Sequence, residues 1–130
     1  MPYINPLRLL GIDTLNPQEV RKAKSQQLAM LQLSDNSSLA YGTLEVDRST
    51  LLFVCDQLKD KRLASFHLAL FEEQSLLDFL SFGETAYFEK YQHQELWEDP
   101  AFRRFAGSFY EEQFDQVFSR AFEQRDVYLL

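Results

Sequence analysis

Three times in this chain a helix-capping residue stands directly before a proline: Asn5-Pro6, Asn16-Pro17 and Asp99-Pro100. An Asn or Asp side chain accepts hydrogen bonds from the first free N–H groups of a helix. Proline is favoured at the first helical position, where its missing N–H would have no partner. Each pair therefore sets a helix start, and the segments after them must be read as helices. At the second pair Glu19 falls three residues after Asn16, a variant of the capping box. Gly11, after Leu9-Leu10, reads as the stop of a very short first helix.

The hydrophobic spacing agrees. After Pro17, Val20, Ala23, Leu28 and Leu31 share one side of a helical wheel, opposite Lys22, Ser25 and Gln26, which predicts an amphipathic helix over 17–32. Ser34–Ser38 is a polar turn cluster, and 39–46, with Gly42 near its centre, is either a small hairpin or an irregular loop. Asp47 then caps a helix with Leu51, Val54, Cys55 and Leu58 at i, i+3, i+4 and i+7. After a charged break at Lys59–Arg62 the spacing resumes in Leu63, Phe66, His67, Leu70 and Phe71. It continues through Leu76, Leu77, Phe79, Leu80 and Phe82 to a stop at Gly83. The last third reads as one short helix, with Tyr87, Phe88, Tyr91, Leu96 and Trp97, and one long helix from Pro100. In the long helix Phe102, Phe105 and Phe109 give way to Tyr110, Phe114, Val117, Phe118 and Ala121, a phase slip that predicts a kink or break near Gly107. With few β-branched residues and abundant Leu, Gln, Glu and Phe, the expected fold class is all-α. The chain closes on Val127–Leu130 without a helix stop or polar tail, which leaves room for a longer parent protein.

Charge and aromatic content divide the chain. Residues 1–65 hold eight Lys/Arg against seven Asp/Glu, and 66–130 hold five against thirteen. Of twelve phenylalanines only Phe53 lies in the first half. The expected organisation is one structural domain, a helical lobe over 1–71 with an acidic, Phe-rich helical lobe over 72–130 packed on it. The second has either a solvated acidic face or one that meets a basic partner. A net charge of −7 argues against nucleic-acid binding by phosphate neutralisation. No apolar run exceeds Leu51–Cys55, far short of the roughly 20 residues that cross a bilayer, so no membrane insertion is expected. A lone cysteine and the lack of a signal-peptide pattern give the expectation of a soluble, cytoplasmic chain.

Groups that could carry chemistry are few. His67 lies on an apolar face beside Phe66 and reads as a helix-packing histidine. Glu89 and His93, four apart, could share a helix face, the one arrangement that would serve a metal-assisted enzyme. The paired Glu-x-x-His pattern of carboxylate-bridged di-metal sites is missing, so no metal and no cofactor are expected. Cys55 sits within the Leu51/Val54/Leu58 stripe, where a thiol acts as a small hydrophobe with a raised pKa. There is no nucleophile elbow, phosphate-binding loop or dinucleotide fingerprint. A non-enzymatic chain is therefore expected. Aromatic residues make up 15% of the sequence. Tyr87, Tyr91, Trp97, Tyr110 and Tyr128 either cap the Phe core or gather at an interface, where aromatics with a polar handle are enriched.

The stretch Asn5-Pro-Leu-Arg-Leu-Leu-Gly-Ile12, followed by Asn16-Pro-Gln-Glu-Val-Arg-Lys-Ala-Lys24 and leading through Leu28 to Asp35, resembles a degenerate J-domain, the helical module of a co-chaperone family. The resemblance covers residues 5–71. It implies a short helix ending in Leu-Gly-Ile, a capped second helix, a loop, a third helix and a short fourth. It also implies that Arg21, Lys22 and Lys24 would form the basic surface that engages a chaperone ATPase. Where the family carries its His-Pro-Asp signature, this chain reads Gln32-Leu33-Ser34-Asp35. Together these features lead to the expectation of a helical module that binds another protein, through Tyr87, Tyr91, Trp97 and Tyr110 or through Arg21, Lys22 and Lys24.

Overall fold

The computed structural model describes residues 2–89 and 94–129. They form seven α-helices and one small hairpin: α1 (Pro6–Leu10), α2 (Pro17–Leu33), β1 (Ser38–Tyr41), β2 (Leu44–Asp47), α3 (Arg48–Asp56), α4 (Lys61–Glu72), α5 (Gln74–Phe82), α6 (Gln94–Glu98) and α7 (Pro100–Leu129). Short 3₁₀ segments occupy Gln57–Lys59 and Thr85–Glu89. The chain is thus mostly helical but not purely all-α. The chain divides into two compact units, Ile4–Glu73 and Gln74–Leu130 with Met1–Tyr3.

In the Ile4–Glu73 unit each helix begins on an acceptor side chain. Asn5 Oδ1 accepts from the N–H groups of Leu7 and Arg8, Asn16 Oδ1 from Gln18 and Glu19, Asp47 Oδ1 from Thr50, and Asp60 Oδ1 from Arg62 and Leu63. Gly11, at φ +71°, ends α1, with its own N–H on the Arg8 carbonyl and that of Ile12 on Leu7. On α2, Ala23 and Leu31 are buried, and Lys22, Ser25 and Gln26 are exposed; the helix runs one residue past its expected end. Segment 39–46 is a hairpin: Leu39 faces Val46 and Tyr41 faces Leu44, with Leu39, Tyr41 and Val46 buried. Gly42, at φ +57°, makes the two-residue loop possible. The buried set of this unit includes Leu7, Leu10, Val46, Leu51, Val54, Cys55, Ala64 and Leu70.

In the other unit α5 packs on α7 and on Thr85–Glu89, and α6 packs on α7. The helical spacing of 63–82 does not run unbroken: α4 stops at Glu72 and α5 starts at Gln74, although neither Gly nor Pro stands between them. The expected short helix around Tyr87–Trp97 is instead a 3₁₀ segment and the short α6. Gly83, at φ +73°, ends α5, as expected. Asp99 Oδ1 accepts from Ala101 and caps α7. The break that the phase slip near Gly107 allowed does not occur: α7 runs through that glycine as one helix of 30 residues. The slip in its aromatic pattern has a geometric origin. A residue four places on lies ~40° further round an α-helix of 3.6 residues per turn, so aromatics spaced by four walk around the barrel without any break.

Candidate protein-interaction surface

The Gln74–Leu130 unit carries a connected system of aromatic rings. At its buried end are Tyr3, Phe79 and Phe102, each no more than 1% exposed. Tyr3 lies edge-on to Phe109 at 5.3 Å and to Phe105 at 6.2 Å, and its carbonyl oxygen accepts from the Ser81 hydroxyl at 2.7 Å. Phe79 touches Phe88 at 5.0 Å, Tyr110 at 5.3 Å and Tyr87 at 6.2 Å.

Three residues expected at an interface form the next shell. Trp97 donates its indole N–H to the Tyr87 hydroxyl at 2.9 Å and lies edge-on to Tyr110 at 5.3 Å and to Phe102 at 5.1 Å. All three are half-buried. Burial, with Tyr87 nearby, raises the Tyr110 phenol above its ordinary pKa. Tyr87, Trp97 and Tyr110 are therefore brought together, but as a half-buried layer over the Phe core in which the Trp97 indole N–H is bonded to Tyr87. Tyr91 and His93 lie outside the described residues, as does the side chain of Tyr128.

Among the described rings of this unit, the most exposed belong to the apolar content of its expected helices. Phe88 and Phe114 are each 44% exposed and Phe118 is 57% exposed. Phe114 is stacked between Tyr110 at 6.0 Å and Phe118 at 6.3 Å, and Phe88 meets Phe114 edge-on at 6.5 Å. Positions 102, 106, 110, 114 and 118 explain the change of environment. Phe102 and Ala106 are buried, Tyr110 is half-buried, and Phe114 and Phe118 are exposed, as the ~40° drift requires. That drift was the available signal. Glu111 and Asp115, also exposed, each follow a ring of this stripe. From residue 105 to 119 the helix has no Lys or Arg.

The other candidate residues, Arg21, Lys22 and Lys24, lie on α2. Arg21 Nε donates to the Pro17 carbonyl of its own helix at 3.3 Å. Lys22 is exposed, while Lys24 is half-buried and near enough to Asp56 and Cys55 for its charge to act on both. Asp56 also pairs with Lys59 at 2.8 Å. Leu33, in the stretch that stands where a J-domain signature would fall, is 86% exposed at the end of α2.

Buried polar groups in the Ile4–Glu73 unit are tied into structure. The His67 imidazole is 1% exposed, with Nε2 at 2.8 Å from Gln57 Oε1. Burial holds its pKa down at about 4. Burial also pushes the Cys55 thiol up to about 11. One cleft of about 220 Å³ is lined by Leu28, Leu31, Gln32, Ser37 and Arg48, and an open one of about 490 Å³ by residues including Leu7, Arg8, Asp13, Glu19 and Phe71. Neither contains a histidine or cysteine. Among the described residues no three His, Cys, Asp or Glu side chains gather as a metal site, and no helix is long and apolar enough to cross a membrane. No protein-family model matches the chain, and neither does any curated protein or solved structure.

Proposed function

We propose that this chain is a non-enzymatic protein–protein interaction or scaffold module, and that it binds another protein through the aromatic and acidic face of residues 84–130. One observation carries the reading. Phe88, Phe114 and Phe118 are exposed and touch one another in a continuous ring system. Single exposed hydrophobes are ordinary on protein surfaces, but contiguous ones mark binding sites. The half-buried Tyr87, Trp97 and Tyr110 beneath would hold these rings in place, so that little ordering is needed on association.

A photo-crosslinking amino acid at position 118, introduced into the full chain in its native cells, tests the reading. A discrete protein adduct, lost on Phe88→Ser or Phe114→Ser and not formed from the exposed position 65, supports it. Absence of an adduct, or one indifferent to both substitutions, removes it.

A second reading is that residues 5–71 are a J-domain relative. Its support is the order of a short capped helix, a long capped helix and two later helices over Pro6–Glu72. Stimulation of a chaperone ATPase that disappears on reversing Arg21, Lys22 and Lys24 would favour it. No stimulation would leave those residues as surface charge.

A further inference from the structure

We infer that the occupant of the Tyr110/Phe114/Phe118 stripe is a basic amphipathic helix of another protein, an inference that rests on the protein-binding reading above. The shape of the stripe comes first. Three rings at successive i+4 positions on α7 span ~12 Å along the axis at 1.5 Å per residue. This is the pitch at which the apolar face of a docking helix presents its own anchors. Phe88 stands beside the stripe, edge-on to Phe114, and gives it a second wall.

Charge then selects among occupants. At ~100° per residue, Glu111 and Asp115 lie along the solvent edge of the stripe. Over residues 84–119 there are eight Asp/Glu and three Lys/Arg. A second copy seated on this stripe would bring the same carboxylates against themselves, and like charges facing one another are unfavourable. Anionic lipid headgroups and nucleic-acid phosphates meet the same repulsion. Lys and Arg flanking an apolar face are attracted instead, and a guanidinium can also rest against the exposed ring of Phe118.

The test uses the full chain and two tryptophan-free helical peptides of about 18 residues, long enough to hold a helix on a surface. Both have leucines spaced i, i+4, i+7; one has Lys/Arg on its remaining face and the other Glu. Trp97 is the only tryptophan, so its emission reports binding. The expected result is saturable binding of the basic peptide alone. It should weaken at least tenfold with Phe114→Ser/Phe118→Ser, weaken severalfold with Glu111→Gln/Asp115→Gln, and fall as ionic strength rises from about 0.1 M to about 0.5 M. Circular dichroism of each variant confirms the fold. Equal binding of both peptides, or no effect of Glu111→Gln/Asp115→Gln, overturns the basic partner while leaving protein binding intact. Failure of both peptides to bind overturns the helical occupant, and the crosslinking experiment then judges the broader reading separately. A concentration-dependent dimer dissolved by Phe114→Ser/Phe118→Ser would make the occupant a second copy and overturn the inference.

Discussion

The side-chain amide of Asn5 donates to the main-chain carbonyl of His67 at 2.9 Å, across 62 residues of sequence. The same side chain, fully buried, caps α1 through its oxygen, and its backbone N–H donates to the Tyr41 hydroxyl at 3.1 Å. One residue thus begins the first helix and ties it to α4 and to the hairpin. Asn5→Ala removes the cap, worth ~1 kcal/mol, and leaves a buried carbonyl without that donor, worth about 1–3 kcal/mol. The expected loss is about 2–4 kcal/mol, read from denaturant midpoints. Asn5→Asp keeps the cap oxygen but not the donor, and should not restore stability.

Acid should unsettle the fold through His67. An unfolded chain protonates this imidazole once pH falls below about 6.5, whereas the folded chain resists until about 4. The unfolded state therefore binds more protons between those values, and stability falls as pH is lowered through that window. The loss approaches about 3 kcal/mol by pH 4, at 1.36 kcal/mol per pH unit. His67→Gln, which cannot titrate, should flatten the dependence relative to the native chain in unfolding measured at several pH values.

Two glycines of the Gln74–Leu130 unit should respond oppositely to alanine. At Gly83 a Cβ would sit 3.0 Å from Gln113 Oε1 and 3.3 Å from Val117 Cγ2, with φ at +73°. Strain in that left-handed conformation and the crowding together should cost about 1–3 kcal/mol. At Gly107, inside α7, an added Cβ meets nothing within 4 Å. Gly107→Ala should add about 0.5–1 kcal/mol. Thermal denaturation distinguishes the two.

Cys55 should be slow to react while the chain is folded. It is 5% exposed, and burial pushes its thiol up to about 11. At pH 8 this leaves roughly one thiolate in a thousand, since only the thiolate attacks. A disulfide reagent should label it at least a hundredfold faster in denaturant than in buffer.

The aromatic ladder of α7 should separate core from surface. Phe79→Ala and Phe102→Ala remove fully buried rings and should each cost about 3–5 kcal/mol. Phe114→Ser and Phe118→Ser should cost well under half as much, because both rings are already substantially in water. Chemical denaturation of the four variants provides the comparison.

Local chemistry in the sequence proved legible where one residue governs one event. Asn5, Asn16, Asp47 and Asp99 start helices because a short acceptor before a free N–H can do little else. Gly11 and Gly83 end them because their positive φ suits few other residues. Other features depend on events that no single position announces. The interruption at Glu73 has no Gly or Pro, and Asp60 was hidden inside what read as a charged break. Whether segment 39–46 would pair rested on Leu39, Tyr41 and Val46 finding burial. For the candidate surface, periodicity makes Phe114 and Phe118 helical but does not say that they face solvent. Apolar residues four apart look like one face over two turns, and only over four turns does the accumulated rotation carry them from core to solvent.

Tyr3 belongs to the same unit as α7, yet it leaves the ribosome well before its partners Ser81, Phe105 and Phe109 do. Residues 4–73 carry a buried core of their own, all of it made before the partners of Tyr3. The aromatic unit cannot close so early, because its first tyrosine must wait for partners that have yet to be made. A fragment cut at Glu73 for expression would strand that tyrosine on the wrong piece. The acidic half alone would then carry an unfilled slot between Phe105 and Phe109, so dissection of this chain is best done with a permuted gene that rejoins Tyr3 to it.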